Sequence, residues 1–478
     1  MKRWLMAAVV GVAAGGAGAE TYFVAPDGAN ANSGDSGHPW ATPGHGSRQL
    51  APGDTLVIRA GRYVISRYDE DIMLPPSGSA GNWITIRGEA GTRPVIAGRD
   101  NLFSAVILDG VSYLRIENLE ITHDAQAEGE AAYFRSGIVA SGQPCSHIVL
   151  SDLFIHHLDE GALDARDVDD LQVLGCRFEY CGFGGIGGPE GRAGGLRNLV
   201  VRGCSLSYSG HYYQGGDGST RPYDRPDGFG IEPSAGPILI EDTRAEHNFG
   251  DGLDSKAANT TIRRCVVANN TCDGVKLWGT GSRVENTLIY GLGDGVAESY
   301  PWGAIVIGTT QAGASFELVN VTIDDELGNP GYIQIDSAAP IGMLLRNCII
   351  NSAGGSAFDI GPSVNLTADH LLFHFPNRDD FLRARGESFT AATVATLGQA
   401  VRHADPRFVR PAWGQEGDYQ LLADSPAIDA GTANGAPADD LARQARDARP
   451  DLGAYEYRGA TPTPRPRLRG RLRSTSGP

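Results

Sequence analysis

Three segments of the chain open on the same dipeptide: Asp227-Gly228-Phe229-Gly230-Ile231-Glu232, Asp251-Gly252-Leu253-Asp254-Ser255-Lys256 and Asp273-Gly274-Val275-Lys276-Leu277-Trp278. Side chains alternate between the two faces of a strand, so Phe229, Leu253 and Val275 are expected inside, with Gly230, Asp254 and Lys276 outside. Glu232, Lys256 and Trp278, two residues on, share the outer face. Neighbouring strands lie about 4.8 Å apart, which would place Asp254 beside Lys276 and Lys256 between Glu232 and Trp278. Carboxylates converging from adjacent strands offer the oxygen ligands that Ca²⁺ prefers, and their repulsion calls for a cation. Asp-Gly at the start of a strand is also ordinary turn chemistry. Turn chemistry does not account for Asp254 or Lys276, which sit at strand positions where aspartate is disfavoured and lysine merely tolerated.

A repeat must position these residues. Gln172-Val173-Leu174-Gly175-Cys176-Arg177-Phe178, Val200-Val201-Arg202-Gly203-Cys204-Ser205-Leu206 and Thr261-Ile262-Arg263-Arg264-Cys265-Val266-Val267 share one grammar. Thr243, Thr287, Val321 and Cys348 take the cysteine's place in further copies, and Leu119 and Asp152 extend the series upstream. The spacing is 22 residues from 243 to 265 and again to 287, and 24 to 28 elsewhere apart from wider insertions. Such a period marks a solenoid. Strand-like alternation without helical stretches between the runs predicts an all-β fold, a single-stranded right-handed parallel β-helix. Cys176, Cys204, Cys265 and Cys348 then form an inward ladder of free thiols, behaving as small buried hydrophobes. Cys176 with Cys181, or Cys265 with Cys272, are the alternative disulfide pairs.

Glycine (65) and proline (27) together suit short strands and tight turns. The net charge of −17 argues against nucleic acid as a partner. Residues 1–19 combine Lys2 and Arg3, an apolar stretch from Trp4 to Ala14 and the small residues Ala17-Gly18-Ala19, the pattern of a secretory signal cleaved after Ala19. No later segment approaches the roughly 18 apolar residues of a membrane span. A secreted or periplasmic monomer is expected. Residues 20–100 read as an N-terminal cap and first coils, 101–400 as the β-helix, and 401–457 as a closing segment. Residues 458–478 read as a disordered Pro/Arg-rich tail.

Tyr22–Gly28 with Ala51–Ile58 resembles the opening of bacterial β-helix proteins, including polysaccharide lyases. Ser425–Gly431 and Asp451–Glu456 resemble a motif common after such helices, whose acidic residues are expected to be structural. The segment 227–277 resembles the pectate lyases of polysaccharide lyase family 9. In that family the calcium site comprises an Asp-Gly-Phe turn and an Asp-Asp-Gly-x-Asp segment one coil later, and the base is the lysine of Gly-Phe-Lys-Leu. Here the counterparts are Asp227-Gly228-Phe229, Gly250-Asp251-Gly252-Leu253-Asp254 and Gly274-Val275-Lys276-Leu277. The resemblance implies that Asp227, Asp251 and Asp254 bind Ca²⁺ and that Lys276 is the base of a β-elimination on an acidic, uronate-containing polysaccharide. Gly250 replaces the first aspartate of the doublet, which brings Asp273 or Glu232 into play as a further ligand.

Arg221, Arg225 and Tyr223, from an insertion spanning 211–226, are candidates to meet substrate together with Lys256, Glu232 and Trp278. The same insertion carries Tyr212 and Tyr213, and a second carries Tyr300 and Trp302; rings in such loops also fold back over a helix. His156 and His157 are adjacent, so one strand cannot aim both at one site, and a stacking or turn role is expected. Two other functions fit the same frame. A hydrolase of the polygalacturonase type would use a carboxylate pair from Asp251, Asp254 and Asp273 without needing Lys276. A non-catalytic carbohydrate-binding or surface protein would use the helix as a spacer.

Overall fold

A computed structural model describes residues 18–125, 127, 130–216, 218, 225–292, 303–325, 329–334 and 339–459. The chain is an all-β right-handed parallel β-helix. Most coils contribute three short strands; in two later coils the second and third run together, as Ile341–Ser352 and Val364–His374. One goes to a ladder that runs from Ser104–Ile107 through Gly161–Ala165, Gly184–Gly188, Phe229–Ile231, Leu253–Ser255, Val275–Leu277 and Ile305–Ile307 to Gly331–Ile333 and beyond. The other two go to ladders that meet at a corner and pair throughout in parallel register. Inward residues such as Leu163, Ile186, Phe229, Leu253, Val275 and Ile305 stack into one continuous core. No helix among the described residues is long and apolar enough to cross a membrane.

The recurring grammar corresponds to that corner. The residue before each ladder cysteine bends the chain through the left-handed region: Gly175 (φ +62°), Gly203 (+67°), Asp242 (+52°), Arg264 (+51°), Asn286 (+46°), Asn320 (+53°) and Asn347 (+53°). Glycine, asparagine and aspartate tolerate this conformation, which explains most of the pattern. The upstream member of the inward series is Leu153, not Asp152. Leu119, Leu153 and Cys176 stack through the Phe154 N–H to Leu119 and Arg177 N–H to Leu153 hydrogen bonds. Asp152 is itself a corner residue (φ +51°) whose carboxylate faces out to Arg93 at 2.6 Å. The one-residue slip turned an outward corner into an inward rung.

All seven cysteines are free and buried. Burial pushes the Cys181, Cys265 and Cys348 thiols up to about 12, so they are held as unreactive thiols. Ellman's reagent should therefore find almost no thiol in the native protein and seven after denaturation in guanidinium; prompt native reaction, or fewer than seven on unfolding, would contradict the ladder.

The C-terminal segment departs from the expectation of an end cover. It runs back along the flank and binds five successive corners. Arg443 pairs with Asp242 at 2.7 Å, Asp439 with Arg264 at 3.3 Å, and Arg446 donates to Asn286 at 2.9 Å. Asn320 donates to the Asp451 carbonyl at 3.0 Å and Asn347 to that of Thr432 at 2.9 Å. Outward-facing corner side chains offer a row of polar groups along the whole flank, which a chain end does not. The motif's acids are structural: Asp451 accepts the Asp429 and Tyr457 N–H groups, and Glu456 meets the buried Arg446 guanidinium at 3.0 Å.

Candidate functional site

The three Asp-Gly segments lie on adjacent strands in the expected register. Gly230 pairs with Asp254 and Asp254 with Lys276. The turns that lead into them are held from inside by asparagines. Asn248 accepts the Ser209 N–H and donates to the Leu206 carbonyl and to Asn270, while Asn270 donates to the Ala245 carbonyl. These buried amides fix where Asp251 and Asp273 begin their strands. Sequence reasoning missed them, although Asn at the same offset in consecutive coils was a usable signal.

Each leading aspartate spends one oxygen on the next coil. Asp227 Oδ1 accepts the Asp251 N–H (2.7 Å), Asp251 Oδ1 that of Asp273 (2.8 Å), and Asp273 Oδ1 that of Gly303 (2.8 Å). The turn role and a role at the surface thus share one side chain, one oxygen for each. Asp227, Asp251 and Asp254 present carboxylate oxygens within 4.8 Å of one another. Asp273 lies outside this triad, and its other oxygen is 3.9 Å from Lys276 Nζ.

Asp254 is on the outer face yet buried, its side chain only 5% exposed beneath two lysines. Lys276 Nζ lies 3.1 Å from Asp251 Oδ2 and 3.4 Å from Asp254 Oδ2. Lys256 Nζ binds Glu232 at 2.5 Å, lies 3.7 Å from Asp254 and stands 5.7 Å from the centre of the Trp278 ring. Asp254 Oδ1 is buried without a hydrogen-bond partner among the described residues. A buried polar atom left unpaired is costly, so this oxygen points to a ligand the chain itself does not supply.

Electrostatics follow from that crowding. Burial, reinforced by Asp251 and Asp254, raises Asp227 well above the carboxylate range. Burial pushes Asp254 up to about 6 despite Lys276, and with Asp251 it pushes Asp273 up to about 8. Burial favours a neutral Lys276, but Asp251, Asp254 and Asp273 outweigh it and hold the ammonium above its ordinary range. The donor set is all oxygen, negatively charged and has a free buried lone pair, which suits a hard divalent cation.

Gly250 has a local reason. A Cβ there would lie 2.3 Å from Asp227 Oδ1 and 2.5 Å from the Arg225 carbonyl. Any side chain at 250 would therefore displace the Asp227 carboxylate, so the glycine that shortens the donor set also lets Asp227 reach it.

Arg225 is exposed at the end of its insertion; Arg221, Tyr223, Tyr300 and Trp302 lie outside the described residues, as does the segment 1–17. Tyr212 folds back and stacks on His123 at 5.2 Å. His157 is a corner residue stacked on Tyr180 at 4.8 Å, while His156 faces out toward Glu120, in keeping with stacking and turn roles. Sequence reasoning also missed Asp164. It shares the outward column of Asp254, and Ala162-Leu163-Asp164 echoes Gly252-Leu253-Asp254.

A right-handed parallel β-helix bearing a buried carboxylate triad under two lysines is the class these observations define. Comparison agrees on the fold: a model of the right-handed β-helix region matches residues 99–296. Among solved structures the chain is similar to XylC, solved in complex with xylose (TM-score 0.58, 10% identity, 91% of this chain and 98% of that one). It is also similar to the pectate lyase Pel9A (0.47, 14%, 92% and 97%) and to the A-module of the Azotobacter vinelandii mannuronan C-5 epimerase AlgE4 (0.45, 13%, 74% and 89%). No curated protein sequence matches significantly.

Proposed function

We propose that this chain is a secreted polysaccharide lyase, of the kind seen in polysaccharide lyase family 9, that cleaves a uronate polymer by β-elimination. The observation that carries the reading is Lys276 Nζ poised 3.1 and 3.4 Å from two carboxylates of a three-carboxylate cluster on one face of the helix. Asp227, Asp251 and Asp254 would hold Ca²⁺. Bound there, the cation would neutralise the carboxylates that now keep Lys276 protonated and would withdraw charge from the substrate's C6 carboxylate. Neutral Lys276 then takes the proton from C5. The C5–H electrons form the C4–C5 double bond as the C4–O bond breaks, and the departing sugar oxygen is protonated from solvent. Lys256, held by Glu232 beside Trp278, would bind a sugar carboxylate, with Trp278 offering a ring face for stacking and Arg225 a charge at the rim. The signal at 1–19, the division of the chain at 20–100, 101–400 and 401–457 with a tail beyond, and the monomeric state belong to this reading.

Incubation with pectate, alginate and glycosaminoglycans should release unsaturated uronate, read by its ultraviolet absorbance, from at least one polymer. New reducing ends without that absorbance would favour a hydrolase. Binding without any product would favour a non-catalytic carbohydrate-binding protein.

A further inference from the structure

Glu232, Lys256 and Trp278 follow directly on the strands of the cluster and lie side by side. Ile231 pairs with Ser255 and Ser255 with Leu277, and the Lys256 N–H donates to the Ile231 carbonyl at 3.1 Å. Lysine is scarce in this chain: of its 40 lysines and arginines, only residues 2, 256 and 276 are lysine. Outward ion pairs elsewhere use the guanidinium, as in Arg177 with Glu179, Arg244 with Glu246 and Arg283 with Glu285. Arg177 and Arg244 each grip both oxygens of their glutamate through two nitrogens. The proposed base accounts for lysine at 276. Lysine at 256 needs a separate reason.

Lys256 holds its glutamate by one bond, from Nζ to Glu232 Oε1 at 2.5 Å. An ammonium is a point charge that exchanges one carboxylate for another without a fork to realign, whereas a bidentate guanidinium is committed to its partner's geometry. The two ends of the pair differ in exposure: the Lys256 side chain is 17% exposed and that of Glu232 46%. Releasing Glu232 therefore returns a carboxylate to water at little cost. Leaving Lys256 without a counter-ion costs more, because its side chain is largely covered and Asp254, 3.7 Å away, is shared with Lys276. The Glu232 backbone stays put in either case, its N–H bonded to the Gly188 carbonyl at 2.8 Å and its carbonyl accepting from Ser234 at 3.1 Å.

We infer that Glu232 is an internal stand-in for a substrate carboxylate, and that it makes the position over Lys256 accept charged and uncharged sugars alike. A uronate there takes Lys256 and sends the Glu232 side chain into solvent. A methyl-esterified uronate or a neutral sugar lies beside Trp278 over an ion pair that is already balanced, and no ammonium is stranded beneath it. The substrate class this selects is a uronate polymer whose carboxylates are partly esterified or interrupted by neutral sugars, with a free carboxylate required only at the cation. The inference rests on the lyase reading for the reaction, but not for the exchange of carboxylates at Lys256.

Hexasaccharides of pectate, alginate and hyaluronan, each as the free acid and as the methyl ester, are titrated by calorimetry in a Lys276→Ala background with calcium present. Wild-type turnover of the same sugars is read by absorbance. Comparing the ratio of acid to ester Kd between variants cancels what the ester loses at the cation. Glu232→Gln should shift the preference toward the free acid about tenfold, by tightening the acid and weakening the ester. Lys256→Met should remove that shift, and adding Glu232→Gln to it should change nothing further. A preference unmoved by Glu232→Gln, or additive effects in the double variant, would overturn the inference. So would loss of the calcium-dependent rise in melting temperature in Glu232→Gln, which would make Glu232 a metal ligand. Product from the wild type would in each of these cases leave the lyase reading intact. The expected shift without product from any of the sugars would support the exchange and defeat the lyase reading. Neither binding nor product with any of them would defeat both.

Discussion

Lys276→Ala is expected to lower unsaturated product formation about 10²- to 10⁴-fold at saturating calcium, the usual contribution of a positioned general base. Lys276→Arg should be nearly as inactive, because a guanidinium keeps the charge and the reach but does not give up its proton near neutral pH. The comparison separates a base from a counter-ion. In the structure Lys276 is also the cation that offsets Asp251 and Asp254 at 3.1 and 3.4 Å. If its role were only to neutralise them, arginine would restore function, and so would excess calcium in the alanine variant. Wild-type rates in either protein would end the case for Lys276 as base. Substrate binding by the alanine variant, measured separately, keeps a lost rate from being mistaken for a lost fold.

Removing calcium with EGTA should abolish product and lower the melting temperature, and the size of that shift should depend on pH. Asp254 and Asp273 have folded-state values of about 6 and about 8, raised by burial from an ordinary 3.8. A carboxyl raised in this way binds its proton more tightly folded than unfolded. Its favourable contribution is complete below about pH 4 and is lost as pH rises through the folded value. The metal-free protein should therefore lose stability from about pH 4 to about pH 8. Calcium, binding the ionised cluster, should stabilise most at the upper end, by about 2.7 kcal/mol when present at a hundred times its Kd. Asp254→Asn should blunt both the pH slope and the calcium response. Identical melting with EGTA and with calcium at pH 8 would remove the metal from the mechanism.

What could be read from residues alone was whatever the two-residue alternation and the coil period control. Phe229, Leu253 and Val275 inside, with Asp254 beside Lys276 outside, follow from those periodicities, and the register confirms them. The burial of Asp254 was not legible, because it depends on two lysines from different strands folding over one carboxylate. The slip from Leu153 to Asp152 arose because a corner residue and a rung differ only in a backbone angle. Gly250 looked like a missing ligand, and only the position of the Asp227 oxygen shows why a side chain has no room there.

The C-terminal segment bound to the corners at 242, 264, 286, 320 and 347 changes how the molecule should come apart. A solenoid whose coils touch only their neighbours can peel from an end, one coil at a time. Here one length of chain is laced to five coils, and the first three carry the strands of Asp227, Asp254 and Lys276. Those coils cannot separate singly. The pitch between them, which sets the distance from carboxylate to ammonium, is held from the opposite side of the helix, so the dimensions of the site are fixed by a seam that never touches it.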